Sequence, residues 1–492
     1  MKNWFKLFIL LIFISVPLMA QTFCKNLADS IPPDHAGMRY ITSAELSKEL
    51  VPGWNVGNSL EAIGGETAWG NPKITQRLID SIKAAGFKSV RIPVGWRKYI
   101  DEKSFTIQTS WLDRVEEVVN YVLSAGMYAI INEHWDGGWI IPTYAKQDTV
   151  NKELTAMWKQ IAIRFRDYDD HLLFAGTNEV MYPNDYGTPK KEYYTVQNGF
   201  NQTFVNAVRS TGGKNYYRYL LVQGFNTNIN FTYSYFTMPT DVDDKRLMIE
   251  VHYYDPWEFT IREDNIITQW GKFATDSKKT VTYANEAYAD GQFKKMKTKF
   301  IDKGYGVVLG EYGVIARLNL GSASLNEEYE GYRKYYIQYI TNSIFKFGLV
   351  PVYWDNGGTG NFGMGIFNRI DGSKAYPEII KAIMDGVDTT NTTGMLDDQN
   401  TLPVKFSLSQ NYPNPFNPET QIDYYIEEPG NVALKLYDTL GREIATLVDE
   451  LKQPGNYSFR FSANNFKLAS GVYFYKLTSG NFSDIKRMIY LK

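Results

Sequence analysis

Two glutamates far apart in the chain, Glu179 in Thr177-Asn178-Glu179 and Glu311 in Gly310-Glu311-Tyr312, are the residues best able to do chemistry together. Two carboxyl groups held about 5–5.5 Å apart can hydrolyse a glycosidic bond with retention, one protonating the leaving oxygen while the other attacks the anomeric carbon. Arg91, His134, Asn178, His252, Tyr254 and Trp354 accompany them at comparable positions, each at or near the end of an apolar run. Arg91 is out of place in Val90-Arg91-Ile92-Pro93. A charge buried in a strand is costly unless paired, and its use would be to hold a carboxylate ionised. Plainer readings compete. A lone glutamate at a strand end can be a loop salt bridge, His134 and His252 can be core histidines or metal ligands, and Trp354 can be barrel packing. The only other histidines, His35 and His171, fall away from these positions, so a metal site would have to lean on carboxylates.

The elements that position these residues are legible as eight apolar runs, at 54–58, 89–94, 128–134, 172–178, 219–224, 247–253, 306–311 and 349–354, alternating with amphipathic stretches. That alternation predicts a parallel α/β fold. The clearest helix carries Trp111, Leu112, Val115, Val118, Val119, Val122 and Leu123 at helical spacing, before Gly126 ends it. Eight repeats favour a closed (β/α)₈ barrel over an open doubly wound sheet, which would want a Gly-rich phosphate loop after its first strand. Gly53-Trp54-Asn55-Val56-Gly57-Asn58 does not match that loop. In a barrel, chemistry belongs at the C-terminal ends of the strands. The eight residues fall there.

Length and composition bound the rest. A chain of 492 residues implies at least two folded units. With 52 basic and 54 acidic residues there is no electrostatic reason to expect nucleic acid or an anionic membrane as partner. Aromatics reach 15%, with 36 Tyr and 11 Trp, and flat apolar faces with polar rims suit sugar rings. Lys2, Lys6, the apolar run 7–19 and Ala20 have the layout of a signal peptide over residues 1–20, followed by a barrel over 21–385. That run is short for a membrane span and nothing comparable follows it, so an integral membrane protein is not expected. Cys24 is the only cysteine, so no intramolecular disulfide can form. A polar linker is expected over 386–401, then a small all-β sandwich over 402–492 with strands near 421–426, 431–437, 457–461, 472–477 and 485–491.

At the predicted strand ends the chain resembles glycoside hydrolase family 5, in particular its cellulase and xyloglucanase branch, subfamily 4. The resemblance rests on Gly53-Trp54-Asn55-Val56-Gly57-Asn58, Glu66-Thr67-Ala68-Trp69-Gly70-Asn71-Pro72, Arg91-Ile92-Pro93-Val94, His134-Trp135-Asp136-Gly137-Gly138-Trp139, Thr177-Asn178-Glu179, His252-Tyr253-Tyr254-Asp255-Pro256-Trp257 and Gly310-Glu311-Tyr312-Gly313, in that order over about residues 40–385. It implies Glu179 as proton donor, raised by burial and by the second carboxylate, and Glu311 as nucleophile, kept anionic by Arg91 and Tyr254. Asn178 would bind the sugar 2-hydroxyl, His134 and His252 would orient hydroxyls and carboxylates, and Trp354 would stack beneath the sugar. Glu133 and Trp135 depart from the family's usual apolar residue and second histidine, which puts the subsite beside His134 in doubt. Trp69, Trp96, Trp135, Trp139 and Trp257 fall in predicted loops and are expected to line an open cleft, as internal chain cleavage requires.

The C-terminal region resembles the sorting domain of type IX secretion, through Asn411-Tyr412-Pro413-Asn414-Pro415-Phe416-Asn417-Pro418 and Gly471-Val472-Tyr473-Phe474-Tyr475-Lys476-Leu477. The expectation is a secreted, monomeric, retaining endo-β-1,4-glucanase that needs no metal or cofactor, acts on cellulose-like, mixed-linkage or xyloglucan chains, and meets the type IX machinery on its way out. The alternatives are an endo-acting mannanase or xylanase on the same fold, a non-catalytic glycan-binding protein on a decayed barrel, and a metal-dependent hydrolase. A carbohydrate-binding module is the rival reading of the C-terminal domain.

Overall fold

Eight parallel strands close into a barrel in the computed structural model, which describes residues 30–388, 406–411, 413–426, 428–480 and 482–492. They are β1 (Gly53–Val56), β2 (Ser89–Ile92), β3 (Tyr128–Asn132), β4 (Leu172–Ala175), β5 (Leu220–Asn228), β6 (Leu247–His252), β7 (Gly306–Tyr312) and β8 (Val350–Asp355). Each pairs with its neighbours in chain order, and β8 closes against β1. The expected signal peptide, Cys24 and residues 389–401 of the expected linker lie outside the described residues.

Strand alternation divides each strand's side chains between two cores. On β3, Ile130 faces the barrel interior with Leu173, Leu221, Met248, Val308 and Val352, whereas Ala129 and Ile131 pack outward under the helices. Burying one such aliphatic side chain stabilises the fold by about 1.5–3 kcal/mol. Leu46 and Leu50, on and just after the short helix Ser43–Ser47, belong to the interior core, and Ser43 Oγ accepts from Gly306 N at 3.0 Å. A capping box between Thr42 and Glu45 starts that helix. The helix Thr109–Ser124 buries Trp111, Val115, Val118, Val119 and Val122, one apolar face as its spacing requires.

The parity breaks on β7, at the mouth. Val307 and Leu309 pack outward and Val308 inward, yet Tyr312 again packs outward. A register irregularity against β6 and β8 absorbs the extra residue, so Gly310 and Glu311 are both available to the barrel mouth.

After the barrel, two antiparallel sheets enclose a separate core that includes Ile422, Val432, Leu434, Phe461, Tyr475 and Met488. One sheet holds β9 (Ser407–Leu408), β10 (Glu419–Ile426) and β13 (Gly455–Ser462). The other holds β11 (Gly430–Tyr437), β12 (Glu443–Lys452), β14 (Gly471–Ser479) and β15 (Phe482–Tyr490), with β12 at its edge. No helix among the described residues is long and apolar enough to cross a membrane.

Candidate active site

Arg91, wholly buried on β2, organises the barrel mouth. Its Nη1 donates to Asn55 Oδ1 and to Glu311 Oε1, both at 3.0 Å, and its Nη2 donates to Asn178 Oδ1 at 2.7 Å. Its Nε lies 2.7 Å from Glu250 Oε1. A planar fork with fixed donors suits this task; a lysine would offer one point charge. Asn55 in turn donates to the Gly310 carbonyl at 2.8 Å, which ties β1 to the strand carrying Glu311.

Glu179 and Glu311 face each other across this arginine. Each offers a carboxylate oxygen within 4.8 Å of the other's and of a His252 ring nitrogen. His252 Nδ1 is 2.7 Å from Glu179 Oε1 and 3.6 Å from Glu311 Oε2. Tyr254 donates to Glu311 Oε2 at 3.2 Å. The two glutamates differ in environment: the Glu179 side chain is 41% exposed and that of Glu311 only 7%.

The electrostatics follow from that geometry. Burial works against a charged His252, but Glu311, Glu179 and Glu250 outweigh it and push the imidazole up to about 9. Burial likewise opposes charge on Glu250, yet Arg91, His252 and Gln223 hold it down at about 2. Burial raises the Glu311 carboxyl above its usual range against the pull of His252 and Arg91. Arg91 thus pulls Glu311 in the expected direction, and desolvation is the larger effect. Burial of Glu179 is not what the structure provides. Burial and the neighbouring carboxylates keep the Tyr254 phenol well above 10, so it remains a donor.

His134 sits two residues beyond β3 and is held well below its usual value by burial, Arg91 and His252. The neutral ring accepts from Asn132 Nδ2 at 3.1 Å through Nδ1 and lies parallel to Trp354, with centroids 5.7 Å apart. Trp354 itself is seated against Gly57, where a Cβ would stand 2.7 Å from the indole. All eight residues expected at the mouth are thus brought together.

The loop tryptophans divide. Trp135, Trp69 and Trp257 are exposed, and Trp135 helps line a cavity of about 410 Å³ beside Glu179 together with Glu133, His134, Trp139, Asn178 and Tyr186. Trp69 stands in the loop after β1, away from that cavity's lining. Trp96, expected in the cleft, is wholly buried and donates to the Asn132 carbonyl at 2.9 Å, so it supports the floor from behind. Sequence reasoning missed Glu250, Gln223, Asn55 and Tyr186. The signal for Glu250 was the one that singled out Arg91, a charge within an apolar strand.

Donor atoms that could hold a cation converge at Glu179, His252 and Glu311 and, at the opposite end of β4, at Asp169, Asp170 and His171. In the first group both ring nitrogens of His252 already face carboxylates, Nδ1 at 2.7 Å from Glu179 and Nε2 at 3.5 Å from Glu250. In the second, Asp170 is paired to Arg39 at 2.7 Å and His171 to Asp169 at 3.1 Å.

The arrangement offers two carboxyl groups at nucleophile distance, with one buried arginine and one protonated histidine to stabilise charge. Comparison with known proteins agrees with that chemistry. Residues 55–360 match the family described as Cellulase (glycosyl hydrolase family 5), and residues 410–491 match the Secretion system C-terminal sorting domain, which marks the chain for export by type IX secretion. Endoglucanase A of Paenibacillus barcinonensis is 42% identical over 373 residues, covering 72% of this chain and 92% of that protein. The xyloglucan-specific endo-β-1,4-glucanase of Bacteroides ovatus is 43% identical over 372 residues, 73% of each chain. The solved structure of a GH5-4 broad-specificity endoglucanase from Bacteroides salanitronis superposes with a TM-score of 0.67 at 40% identity, covering 72% of this chain and 97% of that one. The chain belongs to glycosyl hydrolase family 5, the cellulase family, and is a glycoside hydrolase.

Proposed function

We propose that the chain is a retaining endo-β-1,4-glucanase in which Glu179 is the acid/base and Glu311 the nucleophile, acting on β-glucan chains that include xyloglucan. The observation that carries this reading is the approach of the two carboxylates, whose oxygens come within 4.8 Å. An inverting pair needs about 6.5–9.5 Å to admit a water molecule between carboxyl and sugar. The similarity to endoglucanases and to a xyloglucan-specific enzyme supports the choice of substrate. Open cleft walls at Trp135 and Tyr186 suit a polymer entering from the side.

In the first step Glu179 gives its proton to the glycosidic oxygen as the anomeric C–O bond breaks, and Glu311 forms an ester to the anomeric carbon. In the second, the Glu179 carboxylate takes a proton from water, which attacks the same carbon and releases Glu311. Asn178 has its oxygen occupied by Arg91, so its amide donates toward the sugar 2-hydroxyl. A sugar seated over Glu179 removes water from its exposed side, while Arg91, His252 and Tyr254 remain on Glu311.

Oligosaccharide release by the purified protein from carboxymethylcellulose, barley β-glucan, xyloglucan, xylan and mannan tests the proposal, with Glu311→Gln as control. Release from the glucans by wild type alone is expected. Preferential release from mannan or xylan would move the substrate, binding without release would favour a glycan-binding protein, and loss of activity on chelation would favour a metal-dependent hydrolase.

A further inference from the structure

Beneath the two mouth glutamates lies a third carboxylate. Glu250 is wholly buried on β6, where Arg91 Nε approaches its Oε1 to 2.7 Å and His252 Nε2 to 3.5 Å. Its Oε2 accepts from Gln223 Nε2 on β5 at 2.7 Å. Gln223 Oε1 in turn accepts from Thr177 N at 3.0 Å and Thr177 Oγ1 at 3.1 Å, two residues before Glu179. A Cβ at Gly310 would stand 2.2 Å from Glu250 Oε1, so the glycine preceding Glu311 leaves the space this carboxylate fills. One side chain thus touches the supports of both mouth glutamates.

We infer that Glu250 is a positioning residue, the buried counter-charge that fixes the Arg91 fork, keeps His252 cationic and so sets the pH range over which the Glu179–Glu311 pair works. The inference rests on the reading of that pair as the acid/base and nucleophile. The ionisable groups facing the cluster are Arg91 from β2, His134 after β3, Glu179 after β4, His252 and Tyr254 from β6 and its loop, and Glu311 from β7. His134 and Tyr254 are held neutral. The two cations balance Glu250 and the one negative charge left on the pair, so the buried group is neutral in its working state. Without Glu250 the same state carries an uncompensated positive charge. Both the pair and His252 then surrender protons at lower pH.

The test is the pH dependence of kcat/KM for the full chain on barley β-glucan. Glu250→Gln is expected to move both limbs of the profile to lower pH by about one to three units, the span for one charge at this range between water-like and interior screening. Glu250→Asp keeps the charge and is expected to keep both midpoints, with a lower kcat. The second readout is the titration of the four histidine rings by NMR. One ring is expected to stay doubly protonated above pH 8 in the wild type and to lose that proton about one to three units earlier in Glu250→Gln. Reduced kcat with unmoved midpoints would mean that Glu250 only packs, and would overturn the inference. So would a wild type in which no ring is doubly protonated above pH 8, even if Glu250→Gln does not fold. A wild type inactive on every glucan would instead defeat the reading of the pair, leaving the ring titration to judge Glu250.

Discussion

At the level of single residues, the site separates two carboxyl groups by environment. Glu311 is enclosed and held by three donors or cations, whereas Glu179 meets solvent on one side and His252 on the other. Glu311→Gln removes the attacking oxygen and is expected to abolish turnover on every substrate. Glu179→Ala removes the proton of the first step and the base of the second, each an effect of about 10²–10⁴-fold in general acid–base catalysis. It is therefore expected to lose at least that factor in kcat on polymer, while on an aryl glycoside whose leaving group needs no proton the first step, read as the initial burst of released phenol, keeps much of its rate even though turnover slows. Equal loss in that burst and on polymer would contradict the assignment. The eight mouth residues were readable because polar side chains ended apolar runs. Glu250 bore the same mark as Arg91, a charge within an apolar run, but its role was hidden because it depends on Arg91, His252 and Gln223 converging from three strands. The inward aim of Glu311 was equally hidden, since it depends on an irregularity in pairing that the residue pattern of β7 does not announce.

Elements set the shape around those residues. The turn after β1 lies so close to Trp354 that Gly57→Ala would place a Cβ 2.7 Å from the indole and 3.0 Å from the Asp355 carbonyl. The stacking platform must then move, and kcat/KM is expected to fall about 10- to 100-fold. Unchanged kinetics would mean that the Trp354 ring does not bear on the substrate. The loop after β3 carries a second acid pair. Glu133 is buried, accepts from Trp139 Nε1 at 3.1 Å, and is raised well above 4.5 by burial and by Asp136. Asp136 is itself raised to about 6 by burial, although it accepts from the backbone of Trp96 at 2.6 Å and from that of Arg97. A carboxyl that binds its proton more tightly folded than unfolded stabilises the protein fully below about 4.5, and that contribution drains away as pH rises toward the folded value. Glu133→Gln mimics the protonated form, so its melting temperature is expected to match wild type near pH 4.5 and to exceed it by about 2 °C at pH 8. A difference that does not grow with pH would exclude this role. Eight barrel strands were legible because buried parallel strands are short continuous apolar runs. The strand Glu443–Lys452 was not, because it lies at a sheet edge with both faces largely exposed and shows no alternation.

The whole molecule joins two units with separate cores, one catalytic and one matched to a secretion sorting domain. No residue described at the mouth belongs to the second core. Deleting residues 402–492 is therefore expected to leave kcat/KM on β-glucan within about twofold, while abolishing export from a cell with type IX secretion; a large loss of activity in the truncated protein would mean that the sandwich supports the barrel. The division was readable from composition, because a polar Thr- and Asn-rich stretch separates βα repeats from turn-rich β segments. The choice among glucans was not, since it rests on the placement of loop side chains such as Trp135, Tyr186 and Trp257. If Glu311 attacks the sugar directly, the first product keeps the anomeric configuration of the bond that was cut. In proton NMR of early β-glucan hydrolysis by the wild type, new reducing ends are expected as the β-anomer, with the α-anomer appearing only by later mutarotation. New ends that appear first as the α-anomer would show inversion through a water molecule and contradict direct attack by Glu311.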